Sequence, residues 1–361
     1  MKILFAGGGT AGHIEPALAV ARRWSQRHPN DELIFIGTDS GLENSLVPAA
    51  GYSLHHIPKV TISRTFSPTL VKVPFQLFSS IKKTITILKG VDCAIGFGGY
   101  VSAPLYCAAV LTRTPFVIHE QNARPGWANK IGAYLTRYVA TSYPVKNGAL
   151  AKGQLTGLPL RADVLTALTQ SSNNWKAARL AAKKAIGARY ECDSTKPLIF
   201  IFGGSQGSVA INSVVEKALP IFDSNGAVVI HGIGKNNPLP ASTHAYKPLN
   251  YIAEMAELYL AADLLISRSG AVTCAEAGAL SKYSLFIPLP IGNGEQALNA
   301  ETLVEAGRAE LLEQSQFSAI WLEENLTRLI STSASQSESG DSSAAGAVDK
   351  IVDIIEKAIE A

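Results

Sequence analysis

Short apolar runs alternate along the chain with stretches whose apolar residues recur every three or four positions. Residues 2–6, 32–37, 93–97, 115–119 and 138–142 are short, apolar and bounded by glycine or polar residues, a pattern that predicts buried strands. Between the first two, Ile14, Ala17, Leu18, Ala21 and Trp24 share one face at helical spacing. Such alternation predicts a parallel sheet covered by helices on both faces. The pattern then restarts, with strands predicted at 198–202, 228–231, 263–267 and 285–289 and a helix from about Val209. Two doubly wound domains follow, joined near Thr156-Gly157-Leu158-Pro159, where Gly and Pro interrupt the pattern. Residues 331–347 are rich in Ser, Gly and Ala and read as a flexible surface insertion. Beyond them Val348, Ile351, Val352, Ile355 and Ile359 form an apolar stripe that needs a surface to dock on.

With 361 residues, 47% hydrophobic and 17% charged, the chain can bury two cores. No run of 18 apolar residues occurs, so no membrane-spanning helix is expected, and the first apolar run is too short for a secretory signal. Cys93, Cys107, Cys192 and Cys274 lack CxxC spacing, which argues against structural zinc and a disulfide framework and fits a reducing compartment. The net charge of +3 is uneven. Residues 1–160 carry 16 Lys+Arg against 7 Asp+Glu, a balance of +9, and the remainder carries 16 against 22, a balance of −6. A basic first half suits an anionic partner: nucleic acid, anionic lipid or a polyphosphate.

Glycine-rich or polar turns stand where the predicted strands end. Gly7-Gly8-Gly9-Thr10-Ala11-Gly12-His13 follows the first strand and opens a helix. Glycines let a ligand approach the backbone, and a helix N-terminus offers an anion free N–H groups and about half a positive charge. Gly7, Gly9 and Gly12 fit the dinucleotide spacing GxGxxG, with Asp39 placed to read a ribose. His13 has no part in that reading. It is a candidate general base, or else a capping or surface histidine. Gly203-Gly204-Ser205-Gln206-Gly207-Ser208 is a second such turn, in the second domain, and two facing domains would form a cleft.

In Ser267-Arg268-Ser269-Gly270-Ala271-Val272-Thr273, Ser269 or Gly270 can cap a helix whose N–H groups at 271–273 suit a diphosphate without a metal. Glu276 is placed to accept from ribose hydroxyls, or is an ordinary early-helix glutamate. Glu295, Gln296 and Asn299 suit sugar hydroxyls. His119-Glu120-Gln121-Asn122 ends a predicted strand, where α/β sheets hold ligands. Gly96-Phe97-Gly98-Gly99-Tyr100-Val101-Ser102 is a further turn able to cradle a pyrophosphate.

Taken in order, GGGTAGH, GFGGYVS, HEQN, GGSQG, SRSGA-T--E and GEQ--NA resemble the MurG family, the UDP-GlcNAc-dependent transferases that convert lipid I to lipid II in peptidoglycan synthesis. The resemblance spans the chain except about 165–195 and 331–347. It implies an α/β GT-B glycosyltransferase fold, two Rossmann-like doubly wound domains with a cleft between them. Residues 1–160 would bind the acceptor and the membrane, 161–345 would bind UDP-GlcNAc, and 346–361 would form a helix packing back toward the first domain. It implies inverting transfer of GlcNAc to the C4 hydroxyl of MurNAc, with no cofactor and no required metal.

Carried over by position, His13 is the candidate base and Glu120 the next. Thr10, Ala11, Gly12 and Asn122 lie near the donor sugar, Arg161 and Ser205 near the donor phosphates, and Ile252 by the uracil. Ala271, Val272 and Thr273 meet the diphosphate, Glu276 the ribose and Gln296 the GlcNAc hydroxyls, while Gly98, Gly99 and Tyr100 hold the acceptor pyrophosphate. The sequence departs from many relatives at Ala11 (Gly), Leu158 (Asn) and Glu295 (Gln).

The resemblance also implies a peripheral location on the cytoplasmic face of the cell membrane. The partners would be UDP-GlcNAc, lipid I and an anionic inner-membrane surface, and no nucleic acid. Phe75, Leu77, Phe78, Ile81 and Ile85 share a segment with Lys72, Lys82, Lys83 and Lys89 that is suited to that surface, or else divides between core and solvated face. Rival readings are an NAD-dependent dehydrogenase, a sugar-nucleotide epimerase of the same fold, and a non-catalytic basic membrane-surface protein.

Overall fold

Parallel neighbours cannot be joined by a tight turn, so each needs a crossover, and the helices between the apolar runs supply it. The computed structural model describes residues 1–60, 73–336 and 339–361. Among these the strands pair in parallel, in two sheets of seven and six strands. The chain divides into two units, Met1–Arg161 with Ala345–Ala361, and Ala162–Ala344.

The first unit runs β1 (Lys2–Ala6), α1 (Ala11–Arg27), β2 (Glu32–Gly37), α2 (Glu43–Ala49), β3 (Ser53–His56), α3 (Val73–Ile87), β4 (Cys93–Gly96), α4 (Ser102–Thr112), β5 (Phe116–Glu120), α5 (Trp127–Gly132), β6 (Val139–Thr141) and β7 (Gln154–Leu155). Its sheet order is β3-β2-β1-β4-β5-β6-β7. The second unit runs α6 (Ala162–Ser171), α7 (Trp175–Tyr190), β8 (Leu198–Phe202), α8 (Val209–Lys217), α9 (Leu219–Ser224), β9 (Val228–Gly232), β10 (Tyr246–Leu249), α10 (Met255–Ala261), β11 (Leu264–Ser267), α11 (Ala271–Ala279), β12 (Ser284–Phe286), α12 (Glu295–Glu305), β13 (Ala309–Leu311) and α13 (Ala319–Ala334). Its order is β10-β9-β8-β11-β12-β13. The last helix, α14 (Ala347–Ile359), belongs to the first unit.

Side chains alternate across each sheet, so the strands of the first unit feed two cores. Ile3, Phe5, Phe35, Ile95 and Val117 pack with Trp24 of α1 and with Ile351, Val352 and Ile355 of α14. Leu4, Ile34, Ala94 and Ile118 pack on the other face with Leu105 of α4 and with Ala133, the residue that follows α5. Ions ring the α1–α14 contact: Arg23 and Arg27 meet Asp349 at 2.7 and 2.6 Å, and Arg27 meets Asp353 at 2.6 Å. These pairs are half-exposed and set register more than stability, since burying each isoleucine is worth about 1.5–3 kcal/mol and a surface ion pair about 0–1.

The serine-rich run lies largely at the surface, and its first residues are helical. They complete α13, where buried Ser333 donates its hydroxyl to the Ile330 carbonyl at 2.7 Å. A small hydroxyl that returns its hydrogen bond to the preceding turn lets helix continue through a polar sequence. Ser342–Gly346 forms a 3-10 turn leading into buried Ala347. Ser337 and Glu338 of that run, and Lys72 of the basic segment, lie outside the described residues.

Ile355→Ala empties a fully buried site under α14, and should lower unfolding free energy by about 2–5 kcal/mol. Lys350→Ala, on the same helix outside that cluster, should change it by less than about 0.5 kcal/mol. Denaturant unfolding of the two variants checks the difference.

Candidate functional site

In each sheet the strand order reverses beside the first strand of the unit, between β1 and β4 and between β8 and β11. Crevices for ligands in open parallel sheets open at the carboxyl ends of such strands. The glycine turns of the sequence stand at those two places.

In the first unit the turns after β1 and β4 touch. Gly99 has φ +79°, and a Cβ there would lie 2.8 Å from the Gly8 carbonyl, so only glycine brings the two backbones this close. A Cβ on Gly98 would lie 3.2 Å from His13 Nε2, and one on Gly9 would lie 3.7 Å from the Tyr100 ring. The structure therefore brings Thr10, His13, Gly98, Gly99 and Tyr100 together. Thr10 Oγ1 and His13 Nδ1 are 3.1 Å apart, which orients the imidazole. Burial pushes the His13 pKa down to about 4, against an opposing pull from the Glu43 carboxylate, so the ring is neutral at pH 7. His13 keeps an accessible edge, as do Ala11 and Gly12. Tyr100 is exposed, with Lys59 Nζ 5.3 Å from its ring centre.

Glu120 lies at the end of β5, one strand further out. It is buried, and its oxygens accept from the Asn122 backbone at 2.9 Å, the Gly126 backbone at 3.0 Å and Asn129 Nδ2 at 3.0 Å. Burial pushes its pKa up while these bonds draw it back. Asn129 in turn accepts from the Tyr106 hydroxyl at 2.7 Å and approaches the Gly98 position. A chain of contacts thus runs from Tyr106 through Asn129 to Glu120 and the Asn122 loop. Nothing in the spacing of Tyr106 and Asn129 marks them. Both point inward from helices and read as core residues.

Gly9, the middle glycine of the GxGxxG match, donates its N–H to the buried Glu43 carboxylate at 2.9 Å. A pyrophosphate on that turn would compete with a fixed carboxylate, which weakens the dinucleotide reading.

In the second unit, Gly207 has φ +73° and packs against the Ile233 carbonyl, so the turns after β8 and β9 interlock in the same manner. Ser205 lies on that turn, partly exposed. Arg268 was part of the sequence motif without a role; the structure gives it one. Its buried guanidinium donates to Ser208 Oγ at 2.8 Å, to the Ile287 and Pro288 carbonyls at 3.1 and 3.0 Å, and to Gln314 Oε1 at 2.6 Å. It ties together the loops after β8, β11, β12 and β13.

Gly270 is the N-cap of α11, which has no side-chain cap, so Ala271, Val272 and Thr273 form an uncapped first turn. The neighbouring Ser269 hydroxyl is buried without a hydrogen-bond partner among the described residues, an orphan that a ligand can satisfy. Glu276 is buried further along α11, and Ile252 is buried against Gly232. Gln296 accepts from the Leu289 N–H at 3.0 Å, holding the loop before α12. Asn299 is buried and donates to the Ser269 carbonyl at 3.3 Å, so it braces the site rather than facing out of it. Arg161 ends the first segment of the first unit. A groove between α6, α7 and α10, lined by Ala178, Ala182 and Leu260, contains none of the candidate residues.

Residues 3–141 match the glycosyltransferase family 28 N-terminal domain and residues 198–356 match its C-terminal domain. The UDP-N-acetylglucosamine–N-acetylmuramyl-(pentapeptide) pyrophosphoryl-undecaprenol N-acetylglucosamine transferase of Frankia casuarinae is 41% identical over 96% of this chain and 94% of its own. The protein of the same name from Corynebacterium glutamicum is 40% identical over 98% and 96%. Among solved structures, Acinetobacter baumannii MurG matches with a TM-score of 0.68 at 26% identity, covering 99% of each chain. A UDP-GlcNAc 2-epimerase from Neisseria meningitidis matches with a TM-score of 0.63 at 15% identity over 99% of this chain and 100% of that one, a likeness of fold alone.

His119 and His231 are buried and neutral, their pKa values pushed down by desolvation to about 4 and about 3. The unfolded chain takes up protons on them first, near pH 6.5. Their contribution to stability is therefore complete above about pH 6.5 and lost as the pH falls toward 4. Urea unfolding should show a lower midpoint at pH 5 than at pH 7.5, and an unchanged midpoint would contradict this assignment.

Proposed function

The chain belongs to glycosyltransferase family 28 and, within it, to the MurG family, and from that membership we propose that it transfers GlcNAc from UDP-GlcNAc to the C4 hydroxyl of MurNAc in lipid I, giving lipid II. The acceptor hydroxyl attacks the anomeric carbon as UDP leaves, and His13 takes the hydroxyl proton. The observation that carries this reading is the placement of a neutral imidazole where the glycine turns of β1 and β4 meet. Gly98, Gly99 and Tyr100 receive the acceptor pyrophosphate beside His13. Thr10, Ala11 and Gly12 border the reacting sugar.

The donor is held by the second unit. The uncapped turn at Ala271, Val272 and Thr273 meets the leaving diphosphate with N–H groups and a helix dipole already in place, so little reorganisation accompanies the growth of charge. Ser205 and Arg161 approach the same phosphates, Glu276 the ribose, Ile252 the uracil, and Gln296 and Asn122 the GlcNAc. Glu120, with both oxygens engaged by its own loop, shapes the Asn122 loop rather than moving a proton.

We further infer that the first unit docks on the cytoplasmic face of the membrane. Among the described residues no helix is long and apolar enough to cross it. Within the basic segment, Ile81 and Ile85 pack against the core while Phe75 and Phe78 are 75% and 70% exposed. On the same side of the sheet, α4 exposes Leu111 and α5 exposes Trp127 and Ile131. Exposed Lys82, Lys83 and Lys130 flank them. Each lysine near an anionic surface is worth about 1 kcal/mol, enough together for reversible docking.

His13→Ala should lower turnover of UDP-GlcNAc and a lipid I analogue by about 10²–10⁴-fold while UDP-GlcNAc binds as before; an active variant removes His13 as the base. In vesicle sedimentation, Phe75→Ala combined with Phe78→Ala should weaken binding to anionic vesicles. Added salt should weaken the wild type too, and salt-independent binding would contradict the lysine contribution.

A further inference from the structure

Glu43 has no part in the reaction as drawn above, yet it is fully buried at the start of α2 beneath the first glycine turn. Its Oε2 accepts the Gly9 N–H at 2.9 Å. Its Oε1 accepts the Thr38 N–H at 2.9 Å and the Thr38 hydroxyl at 3.1 Å. Three glycines leave room for it. A Cβ on Gly8 would lie 3.0 Å from Oε1, and one on Gly37 or Gly41 would overlap the side chain. A first-turn glutamate ordinarily faces water and complements its own helix dipole. This one instead spans 34 residues to fasten the turn that carries His13. Burying a carboxylate is unfavourable unless hydrogen bonds compensate it, and an apolar side chain would fill the same space more cheaply. Packing alone therefore does not account for the choice of residue.

We propose that Glu43 is a positioning residue for the transfer: it fixes the Gly7–His13 turn through the Gly9 N–H and places a negative charge behind the imidazole as the imidazole becomes protonated. In that step the acceptor oxygen bonds to the anomeric carbon while the bond from that carbon to the UDP oxygen breaks. UDP leaves with the electron pair, and the hydroxyl proton passes to His13. The positive charge then created on the ring is what the carboxylate stabilises, in keeping with the direction of its pull on the His13 proton affinity. Two neutral groups that face the ring are the Thr10 hydroxyl at the start of its own helix and Gly98 in the turn after β4. The proposal rests on the reading of His13 as the base.

The experiment is steady-state kinetics of the full chain with UDP-GlcNAc and a lipid I analogue, for wild type, Glu43→Gln and Glu43→Asp, with thermal unfolding measured in parallel. Glu43→Gln keeps the volume and removes the charge. Its kcat should fall by about 10²-fold, the low end of what a positioned base contributes, with the KM for UDP-GlcNAc within about twofold of wild type. Glu43→Asp keeps the charge, and its kcat should lie between the two. A purely packing role predicts the reverse order, with the isosteric Gln near wild type and the shorter Asp impaired; that order, or wild-type kcat in Glu43→Gln, overturns the proposal. If Glu43→Gln does not fold, Glu43→Asp decides alone. The acid limb of its kcat–pH profile, set by His13, should move to lower pH, because a displaced carboxylate stabilises the protonated ring less; an unmoved limb, whatever the kcat, overturns the proposal. Absence of disaccharide-lipid from the wild type would instead overturn the transferase reading beneath it.

Discussion

Two backbone turns can lie against each other at the end of a parallel sheet only where neither carries a side chain at the point of contact. The approach of Gly99 to the Gly8 carbonyl is that constraint in the first unit, and the approach of Gly207 to the Ile233 carbonyl is its counterpart in the second. From the first contact follow the position of His13 over Gly98 and the Tyr100 ring over Gly9. The buried carboxylate of Glu43 holds the pair from below. A Cβ at Gly99 would meet the Gly8 carbonyl and part the two turns, and with them the crevice that holds His13.

The two units apply the same strand topology to different chemistry. In the first, a fixed carboxylate lies behind the turn and a neutral imidazole lies on it, an arrangement suited to accepting a proton. In the second, buried Arg268 knits four loops together, and the first turn of α11 is uncapped with the Ser269 hydroxyl beside it. That arrangement is suited to receiving an anion. A shared fold does not separate a transferase from an epimerase, as the likeness to the UDP-GlcNAc 2-epimerase shows. The family assignment comes from 40–41% identity over nearly the whole chain.

Much of the architecture was legible in the sequence because central strands of a parallel sheet are covered on both faces and read as unbroken apolar runs. β1, β2 and β8 stand where that pattern places them. The strands it does not reveal are β3, β7, β10 and β13, and all four are sheet edges. Ser53–His56 has two histidines, Gln154–Leu155 is only two residues long, and Tyr246–Leu249 contains Pro248, which an edge tolerates. Half-covered strands need no continuous apolar run. At the site, the glycine turns were legible as turns because glycines directly after an apolar run mark the passage from strand to helix. Glu43, Asn129, Tyr106 and Arg268 were not. Their roles arise from bonds such as Tyr106–Asn129, Gly9–Glu43 and Ser208–Arg268, which span 23, 34 and 60 residues, separations that local spacing does not encode. The helical start of the serine-rich run was not legible for a related reason, since composition does not show that a hydroxyl bonds back to its own helix.

The central claim is that the chain joins two sugars, rather than altering one or moving a hydride. Incubating the purified protein with UDP-GlcNAc labelled in the sugar, with and without a lipid I analogue, and separating the products tests it most directly. The account predicts label in a disaccharide-lipid and an equal amount of UDP, both dependent on the acceptor. Conversion of UDP-GlcNAc to an epimer without acceptor, or an acceptor that stays unlabelled while UDP-GlcNAc is bound, would contradict it.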